Sequence, residues 1–350
     1  MTAIVEARQL TKSFRRPVKA SGLGGSLKHL VRPQWTTVEA VRGIDLTVQP
    51  GESVAYVGPN GAGKSTTIKL LTGILVPTSG SIRVAGVTPH QDRVANSRNI
   101  SVLFGQRTQL WWDLPVIESL RLLGDIYQVP AAQYRATVDE LVDVLDLSPL
   151  LSAPARQLSL GQRMRCDLAA ALVHAPQVLF LDEPTIGLDV SVKAKLREFI
   201  SRMLAERGLT LLLTSHDIGD IEELCPRMVM IDEGRIVFDG AFNDVTRRFG
   251  WEQVVTVTLA DEHPDPASLV ADTLGPLAMS VTDAGASSVA VSFDSRVTTS
   301  GELVSRLVQH VPVSDLAVAQ TSAESIVRRL YERDLHFDES TASSTGGGTA

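Results

Sequence analysis

The sequence of 350 residues predicts an α/β protein with a mostly parallel sheet, followed by a small α+β domain. Strand patterns alternate with helix patterns over the first 250 residues. The order then becomes β-α-β-β-α-β, the pattern of a ferredoxin-like sandwich. Net charge changes at the same point, from +2 over residues 1–250 to −9 over residues 251–350. We therefore predict domains at 1–249 and 250–336 and a disordered tail over 337–350.

The elements of the first domain follow from runs of apolar residues and their spacing. Residues 15–38 interrupt this pattern and are interpreted as an irregular basic insert. Residues 116–150 have helical spacing. The predicted strands cover residues 3–7, 44–48, 53–57, 81–84, 100–104, 178–181, 210–213, 229–231 and 235–238, and further helices cover 65–71, 159–174, 190–206 and 218–224.

The second domain alternates less regularly, and its elements are short. Its predicted strands cover residues 253–259, 279–281, 289–293 and 316–320, and its helices cover 265–273, 300–311 and 323–335.

Bulk composition excludes several classes of protein. No apolar run approaches the roughly 18 residues that a membrane span needs, and the N-terminus lacks the pattern of a signal peptide. Cys166 and Cys225 stand alone, without metal-ligand spacing or a disulfide framework. Neither domain has the strongly basic balance of a nucleic-acid-binding protein, so no nucleic-acid partner is expected. We expect a cytosolic protein, or one attached to a cytosolic membrane face through partners.

A glycine-rich motif lies between a strand and a helix. Residues 58–65 fit G-x-x-x-x-G-K-S, in which glycines allow the backbone to wrap a phosphate. We expect Lys64 to contact the β- and γ-phosphates of a nucleotide and Ser65 to ligate Mg²⁺. This motif predicts a P-loop NTPase core. The predicted nucleotide-binding residues here are Gly58, Pro59, Asn60, Gly61, Ala62, Gly63, Lys64, Ser65 and Thr66.

Two carboxylates and a histidine follow later buried strands. Asp182 and Glu183 end one strand, where one acid suits the Mg²⁺ shell and the other can polarise the attacking water. His216 follows the next strand, where its imidazole can contact the γ-phosphate. Gln106 follows the strand over 100–104 and can bridge Mg²⁺, water and a helical subdomain. Gln109 competes for this role, and spacing alone does not choose between the two glutamines.

These motifs, with the Leu158-Ser159-Leu160-Gly161-Gln162 segment that begins a helix, resemble the ATP-binding subunits of ABC transporters. The likeness covers roughly residues 3–245, and we name residues 158–162 the signature segment. It implies an antiparallel β subdomain and a helical subdomain beside the core. It also implies that two subunits pair head to tail around two ATP molecules, in a homodimer or with a similar ATPase.

The resemblance assigns further roles. The ATP held by the partner would be contacted by Ser159, Gly161 and Gln162. Asp189 would lie at the dimer seam. Phe14 matches the aromatic residue that stacks on adenine, although it can also be a core residue of the β subdomain. The motif alignment favours Gln106 as the loop glutamine. Leu160 departs from the usual small residue of the signature segment.

A closer resemblance, carried by residues 105–115 and the C-terminal domain, is to the ATPases of type-2 exporters. It implies membrane permease partners and a location at the cytoplasmic face of the membrane. A soluble ATPase acting on ribosomes or DNA and an importer ATPase are the alternatives. We expect one of Trp111 and Trp112 to pack inward and the other to contact the permease. The insert over 15–38 is either a solvated loop or a contact for anionic lipid or the permease.

Overall fold

The computed structural model contains two compact units, the first ending at Asp239 and the second running from Gly240 to His336. The sequence-based boundary at 249/250 lies ten residues later. The predicted tail, Gln106 and most of the predicted insert lie outside the described residues. The structure describes residues 2–17, 35–104, 108–285, 287–319 and 323–332.

A six-stranded sheet forms the centre of the first unit. Five of its strands pair in parallel with their neighbours, and three of these strands are almost completely buried, as expected of a sheet covered on both faces. The carboxyl ends of these strands therefore share one edge, where the chemistry-bearing motifs follow. In sheet order the strands are β5 (Ile100–Phe104), β6 (Val178–Asp182), β7 (Thr210–Thr214), β3 (Ser53–Val57), β8 (Arg227–Asp232) and β9 (Arg235–Ala241).

A second sheet is antiparallel and has the order β2-β1-β4, with β1 at Val5–Pro17, β2 at Trp35–Val48 and β4 at Ser79–Val84. The pairing of β1 with β2 extends to Pro17 opposite Trp35. The prediction of irregular structure at 15–17 and 35–38 was therefore wrong. Polar and basic residues on an exposed two-stranded ribbon have no buried face, so apolar periodicity does not mark them as strands.

The helices predicted over 65–71, 159–174, 190–206 and 218–224 are present, with ends within about two residues of their predicted positions. The helical region predicted over 116–150 contains two helices, the second of which ends at Val144, and the helix at Arg93–Asn99 was not predicted. Helix α5 (Leu160–Leu172) contains a continuous buried run from Cys166 to Leu172, and α3 (Val116–Ile126) and α4 (Ala131–Val144) pack against it. The helices are α1 (Lys64–Leu71), α2 (Arg93–Asn99), α3 (Val116–Ile126), α4 (Ala131–Val144), α5 (Leu160–Leu172), α6 (Val190–Arg207) and α7 (Ile218–Leu224).

The second unit contains a four-stranded antiparallel sheet in the order β11-β12-β10-β13. The strands β10 and β11 both pair with β12, so they run parallel to each other with one strand between them. This is the split β-α-β arrangement of the predicted ferredoxin-like fold. Its elements are α8 (Phe242–Phe249), β10 (Glu252–Leu259), α9 (Pro266–Leu274), β11 (Ser280–Asp283), β12 (Ser288–Asp294), α10 (Ser300–His310), β13 (Val313–Ala319) and α11 (Ala323–Glu332).

Alternate side chains of β10 and β12 point to the core of this second unit. Val255 and Val257 are fully buried on β10, as are Val291 and Phe293 on β12. Helices α9 and α10 cover this face through Leu274, Leu303 and their neighbours. Among the described residues of either unit, no helix has both the length and the apolar character needed to cross a membrane.

Candidate active site

The glycine-rich loop between β3 and α1 forms the floor of the candidate site. Lys64 is 9% exposed, and its Nζ donates hydrogen bonds to the carbonyl oxygens of Gly58 and Pro59. Burial lowers the pKa of Lys64, whereas the nearby carboxylates of Glu183 and Asp182 raise it. The Lys64 ammonium is therefore held by two carbonyl oxygens of the loop and lies near two carboxylates.

Two glycines of this loop have no room for a side chain. A Cβ on Gly58 would lie 2.0 Å from the carbonyl oxygen of Ile231, so β8 requires glycine there. Gly63 has φ +114° and precedes the first residue of α1. A Cβ on Gly63 would meet the carbonyl oxygen of Ala40 at 2.4 Å. These contacts explain why the motif needs glycine at both positions.

A cavity of about 710 Å³ opens above the loop. It brings together the side chains that the sequence placed after three different strands. Of the predicted site residues, those lining it are Phe14, Pro59, Asn60, Gly61, Gly63, Lys64, Ser65, Thr66, Asp182, Glu183 and His216. Gly58 and Ala62 belong to the loop backbone beneath the cavity. Phe14 lies within β1 opposite Val38, which also lines the cavity.

Asp182 is held by the neighbouring strand. The hydroxyl of Thr214, at the end of β7, donates a hydrogen bond of 2.6 Å to Asp182 Oδ1. Thr214 is fully buried, so its hydroxyl fixes the carboxylate without opening the sheet to water.

Glu183 and His216 contact each other at the rim of the cavity. The backbone N–H of His216 donates to Glu183 Oε2 at 3.1 Å, and Glu183 Oε1 lies 3.3 Å from His216 Nε2. Burial raises the pKa of Glu183, and burial lowers that of His216. Both shifts favour neutral forms, and the carboxylate is therefore a stronger base when it is ionised than an exposed glutamate.

The backbone of Glu183 adopts a left-handed conformation, with φ +56°. For a residue with a Cβ this costs about 1–2 kcal/mol. The N–H of Glu183 donates to the carbonyl oxygen of Thr214 at 2.9 Å, which anchors the turn to β7. The surrounding contacts thus hold the predicted base in a conformation that it would not otherwise prefer.

The signature segment begins α5 with a reciprocal cap. Ser159 Oγ accepts a hydrogen bond from the Gln162 N–H at 3.2 Å, and Gln162 Oε1 accepts one from the Ser159 N–H at 2.9 Å. Within this chain, therefore, both side chains stabilise the start of the helix. Neither they nor Gly161 is among the residues that line the cavity.

Asp189 caps the neighbouring helix. Its carboxylate accepts hydrogen bonds from the Val192 N–H and the Ser191 hydroxyl, and these bonds lower the pKa of Asp189. A Cβ on Gly161 would lie 3.7 Å from Val192, so the starts of α5 and α6 are adjacent. Leu160 fills the space over Gly187, where a Cβ would lie 2.7 Å from Leu160 Cδ2. The predicted signature and seam residues thus share one surface.

A buried acid joins α5 to the segment after the predicted glutamine loop. Asp167 is 3% exposed, and its Oδ1 accepts hydrogen bonds from the Thr108 hydroxyl at 2.8 Å and the Gln109 N–H at 2.7 Å. The Gln109 amide donates to the carbonyl oxygen of Val102 in β5, so it is used within the fold. The competing candidate, Gln106, stays a prediction because it lies outside the described residues.

Trp111 and Trp112 are 39% and 51% exposed, so the expectation that one of them packs inward was wrong. They lie in an irregular turn, where adjacent side chains need not alternate, and Leu110 occupies the buried position instead. The Arg163 guanidinium of α5 lies over the Trp112 ring at 5.9 Å from its centroid.

Sequence reasoning missed two acids that organise this region, Asp167 and Asp220. Each interrupts the otherwise apolar face of a helix, and that interruption was the available signal. Cys166, next to Asp167, is fully buried, and burial raises its pKa to about 12.

Comparison with known proteins gives a consistent result. The sequence profile described as "ABC transporter" matches residues 41–186. The chain is 38% identical over 257 residues to a protein of Paraburkholderia xenovorans named Nod factor export ATP-binding protein I, covering 71% of this chain and 79% of the relative. It is 36% identical to the daunorubicin resistance ATP-binding protein DrrA3 of Streptomyces coeruleorubidus, covering 63% of this chain and 69% of that protein.

Solved structures share the architecture of the first unit. One described as the ATP-binding subunit of an ABC transporter superposes with a TM-score of 0.59 at 26% identity. The match covers 71% of this chain and 93% of the solved chain.

Proposed function

Since the chain belongs to the ABC transporter family of ATP-binding proteins, we propose that it is the ATPase subunit of an exporter and works through ATP-driven pairing of two such subunits. One observation carries this proposal. The cavity joins Lys64, Glu183 and His216, whereas Ser159 and Asp189 lie outside it on a separate surface. A second subunit that presents this surface would complete the site.

In this proposal the phosphate loop and Lys64 bind the β- and γ-phosphates of ATP, and Phe14 stacks on adenine. Ser65 and Asp182 would hold Mg²⁺, which neutralises phosphate charge when it is bound. The donor set fits this ion, because Mg²⁺ is usually held by one or two carboxylates together with phosphate oxygens and water. The Ser65 hydroxyl and the Asp182 carboxylate both belong to residues that line the cavity.

Glu183 serves as the base that accepts a proton from the attacking water. His216 holds the Glu183 carboxylate through its backbone N–H and presents its imidazole to the γ-phosphate. Gln106 would bridge Mg²⁺ and water from the neighbouring loop. The water oxygen forms a bond to the γ-phosphorus while the bond from that phosphorus to the β–γ bridging oxygen breaks, so that inorganic phosphate and ADP are the products. Lys64 offsets the negative charge that develops on the bridging oxygen.

Pairing would bring the partner's signature segment over this nucleotide. The positive end of the α5 dipole and the Ser159 hydroxyl are suited to a γ-phosphate. Three apolar residues of this region form an exposed rim, since Leu160, Ile186 and Val190 are 37%, 44% and 83% exposed, and Ile186 also lines the cavity. We infer that a second copy of this chain, or a similar ATPase, covers this rim when ATP is bound.

The direction of transport is inferred from the relatives. One is named for Nod factor export and another for daunorubicin resistance. The transported substrate would be selected by membrane permease subunits that hold the ATPase at the cytoplasmic face of the membrane. The exposed indoles of Trp111 and Trp112, beside the segment that follows Gln106, are the proposed contact for the permease.

The experiment is an assay of ATP hydrolysis with and without Mg²⁺, together with recovery of bound proteins from detergent-solubilised membranes. We expect Mg²⁺-dependent hydrolysis that Lys64→Ala abolishes, and a co-purifying polytopic membrane protein. Activity that is unaffected by Lys64→Ala would contradict the assignment of the site. Recovery of ribosomes or DNA without a membrane protein would contradict the export role.

A further inference from the structure

A buried carboxylate that the proposed mechanism does not use lies behind the catalytic loops. Asp220, in α7, has a side chain with no exposed surface. It is four residues after His216, and the helix face that it shares with Leu224 is otherwise suited to apolar packing. A buried acid at such a position is costly unless it is paired and hydrogen-bonded.

Asp220 receives donors from two different loops. The Thr185 hydroxyl donates to Asp220 Oδ2, and the Ser215 hydroxyl donates to the same oxygen at 3.0 Å. Arg197 of α6 completes the arrangement, with its Nε 3.0 Å from Asp220 Oδ1. Thr185 and Ser215 are 4% and 1% exposed, so these bonds are shielded from water.

Each of the two loops carries one of the proposed catalytic residues. Thr185 is two residues after Glu183, and Ser215 immediately precedes His216. The N–H of Asp217 donates to Ser215 Oγ at 3.0 Å, so the hydroxyl is fixed from both sides. Asp220 therefore joins the turn that holds the left-handed Glu183 to the turn that holds His216.

We propose that Asp220 is a positioning residue for ATP hydrolysis, which fixes the Glu183 carboxylate relative to His216 through Thr185 and Ser215. This inference rests on the proposed function, because it assigns Asp220 an effect on the geometry of those two residues. Misplacement of a reacting group by about 1 Å can lower a rate by roughly 10²-fold.

The ion pair with Arg197 extends the arrangement to the seam. Arg197 lies in α6, whose first turn is capped by Asp189. A second ion pair, between Lys193 and Asp217 at 2.5 Å, joins the same helix to the residue after His216. If α6 moves when two subunits pair, the ion pairs of Asp220 and Asp217 would therefore transmit that movement to the segments that carry Glu183 and His216.

The test compares near-isosteric variants of Thr185. Thr185→Val removes the donor to Asp220 and keeps the shape of the side chain, whereas Thr185→Ser keeps the hydroxyl. We expect Thr185→Val to lower kcat about tenfold or more with KM for ATP unchanged. Thr185→Ser is expected to retain kcat within about threefold of the wild type. Equal kcat values for the two variants and the wild type would overturn the proposal.

Asp220→Asn tests the acid itself, and Asp239→Asn is its matched control. Asp239 also pairs with a partly buried arginine, because its Oδ1 lies 2.7 Å from Arg227 Nε. This pair joins β9 to β8, whereas Asp220 contacts the segments that carry Glu183 and His216. Both substitutions are expected to lower Tm. Only Asp220→Asn should lower kcat, and the double variant with Thr185→Val should lose little more than either single variant.

A fall in Tm without a change in kcat for Asp220→Asn would show that the residue is merely structural. If Asp220→Asn does not fold, the Thr185 pair decides the question alone. An inactive wild-type protein would instead contradict the proposed function, so the two failures are distinguishable.

Discussion

Oε1 of Glu183 lies 3.3 Å from Nε2 of His216, while the other oxygen of the same carboxylate accepts the His216 backbone N–H. One residue therefore contacts both oxygens of the proposed base. The contact spans two neighbouring parallel strands, because Glu183 follows β6 and His216 follows β7. Elements far apart in sequence thus meet at one point where a γ-phosphate and its attacking water would be placed.

Glu183→Gln should reduce ATP turnover by about 10²–10⁴-fold, which is the usual contribution of a positioned general base. The amide keeps the size of the side chain and can still accept the His216 N–H, so ATP binding should persist. Steady-state release of phosphate measures the rate, and binding of a fluorescent ATP analogue measures affinity. Turnover within about threefold of the wild type would remove Glu183 from the mechanism.

Ser159 has a capping role that can be separated from its proposed role at the partner's ATP. Ser159→Ala should lower the free energy of unfolding by about 1 kcal/mol, because it removes the cap of α5. Ser159→Asp keeps a good cap but adds a negative charge opposite the γ-phosphate. We expect it to retain stability and to lose more than ~tenfold in ATPase activity.

Urea denaturation and phosphate release distinguish these effects. A Ser159→Asp protein with full activity would restrict Ser159 to its helix-capping role.

Asp167 should be important for the stability of the helical region. Asp167→Ala leaves the Thr108 hydroxyl and the Gln109 N–H without their buried acceptor, which is expected to cost about 1–3 kcal/mol per unsatisfied group. Thr108→Val removes only one donor and is the matched control, with a smaller expected loss. Urea unfolding gives both values, and an Asp167→Ala loss below about 0.5 kcal/mol would contradict this account.

Trp111 and Trp112 should contribute to assembly rather than to hydrolysis. The Trp111→Ala/Trp112→Ala double variant should keep isolated ATPase activity nearly intact, because neither indole lines the cavity. Recovery of the membrane subunit on the purified chain should fall strongly, since exposed aromatic residues dominate many interfaces. Val94→Ala, at an apolar position that is 66% exposed, is the control. Unchanged co-purification would exclude the coupling role.

The parts of the site that the sequence predicted are those fixed by local backbone chemistry. The phosphate loop is such a case, because a side chain at Gly58 or Gly63 would clash with the backbone, and Lys64 directly follows Gly63. The buried strands β6 and β7 could also be predicted from the sequence, since they are short apolar runs that end in Asp182 and Thr214.

The parts that the sequence did not predict depend on distant partners. Asp220 accepts a hydrogen bond from Thr185, which lies 35 positions earlier in the sequence, and Asp167 accepts one from Thr108, which lies 59 positions earlier. In a helical pattern a single acid is read as solvent-facing, so neither carboxylate was assigned a buried role. The length of β1 was missed for a different reason: from Thr11 to Arg15 its residues are half-buried or exposed and do not alternate between apolar and polar types.

The mass of the Glu183→Gln protein in solution, with and without Mg²⁺-ATP, tests the composite site most directly. Size-exclusion chromatography with light scattering should show a dimer when Mg²⁺-ATP is present and a monomer when it is absent. Adding Ser159→Asp to the same chain should abolish the dimer. A protein that binds ATP and remains monomeric at all concentrations would contradict the claim that two such chains complete the site.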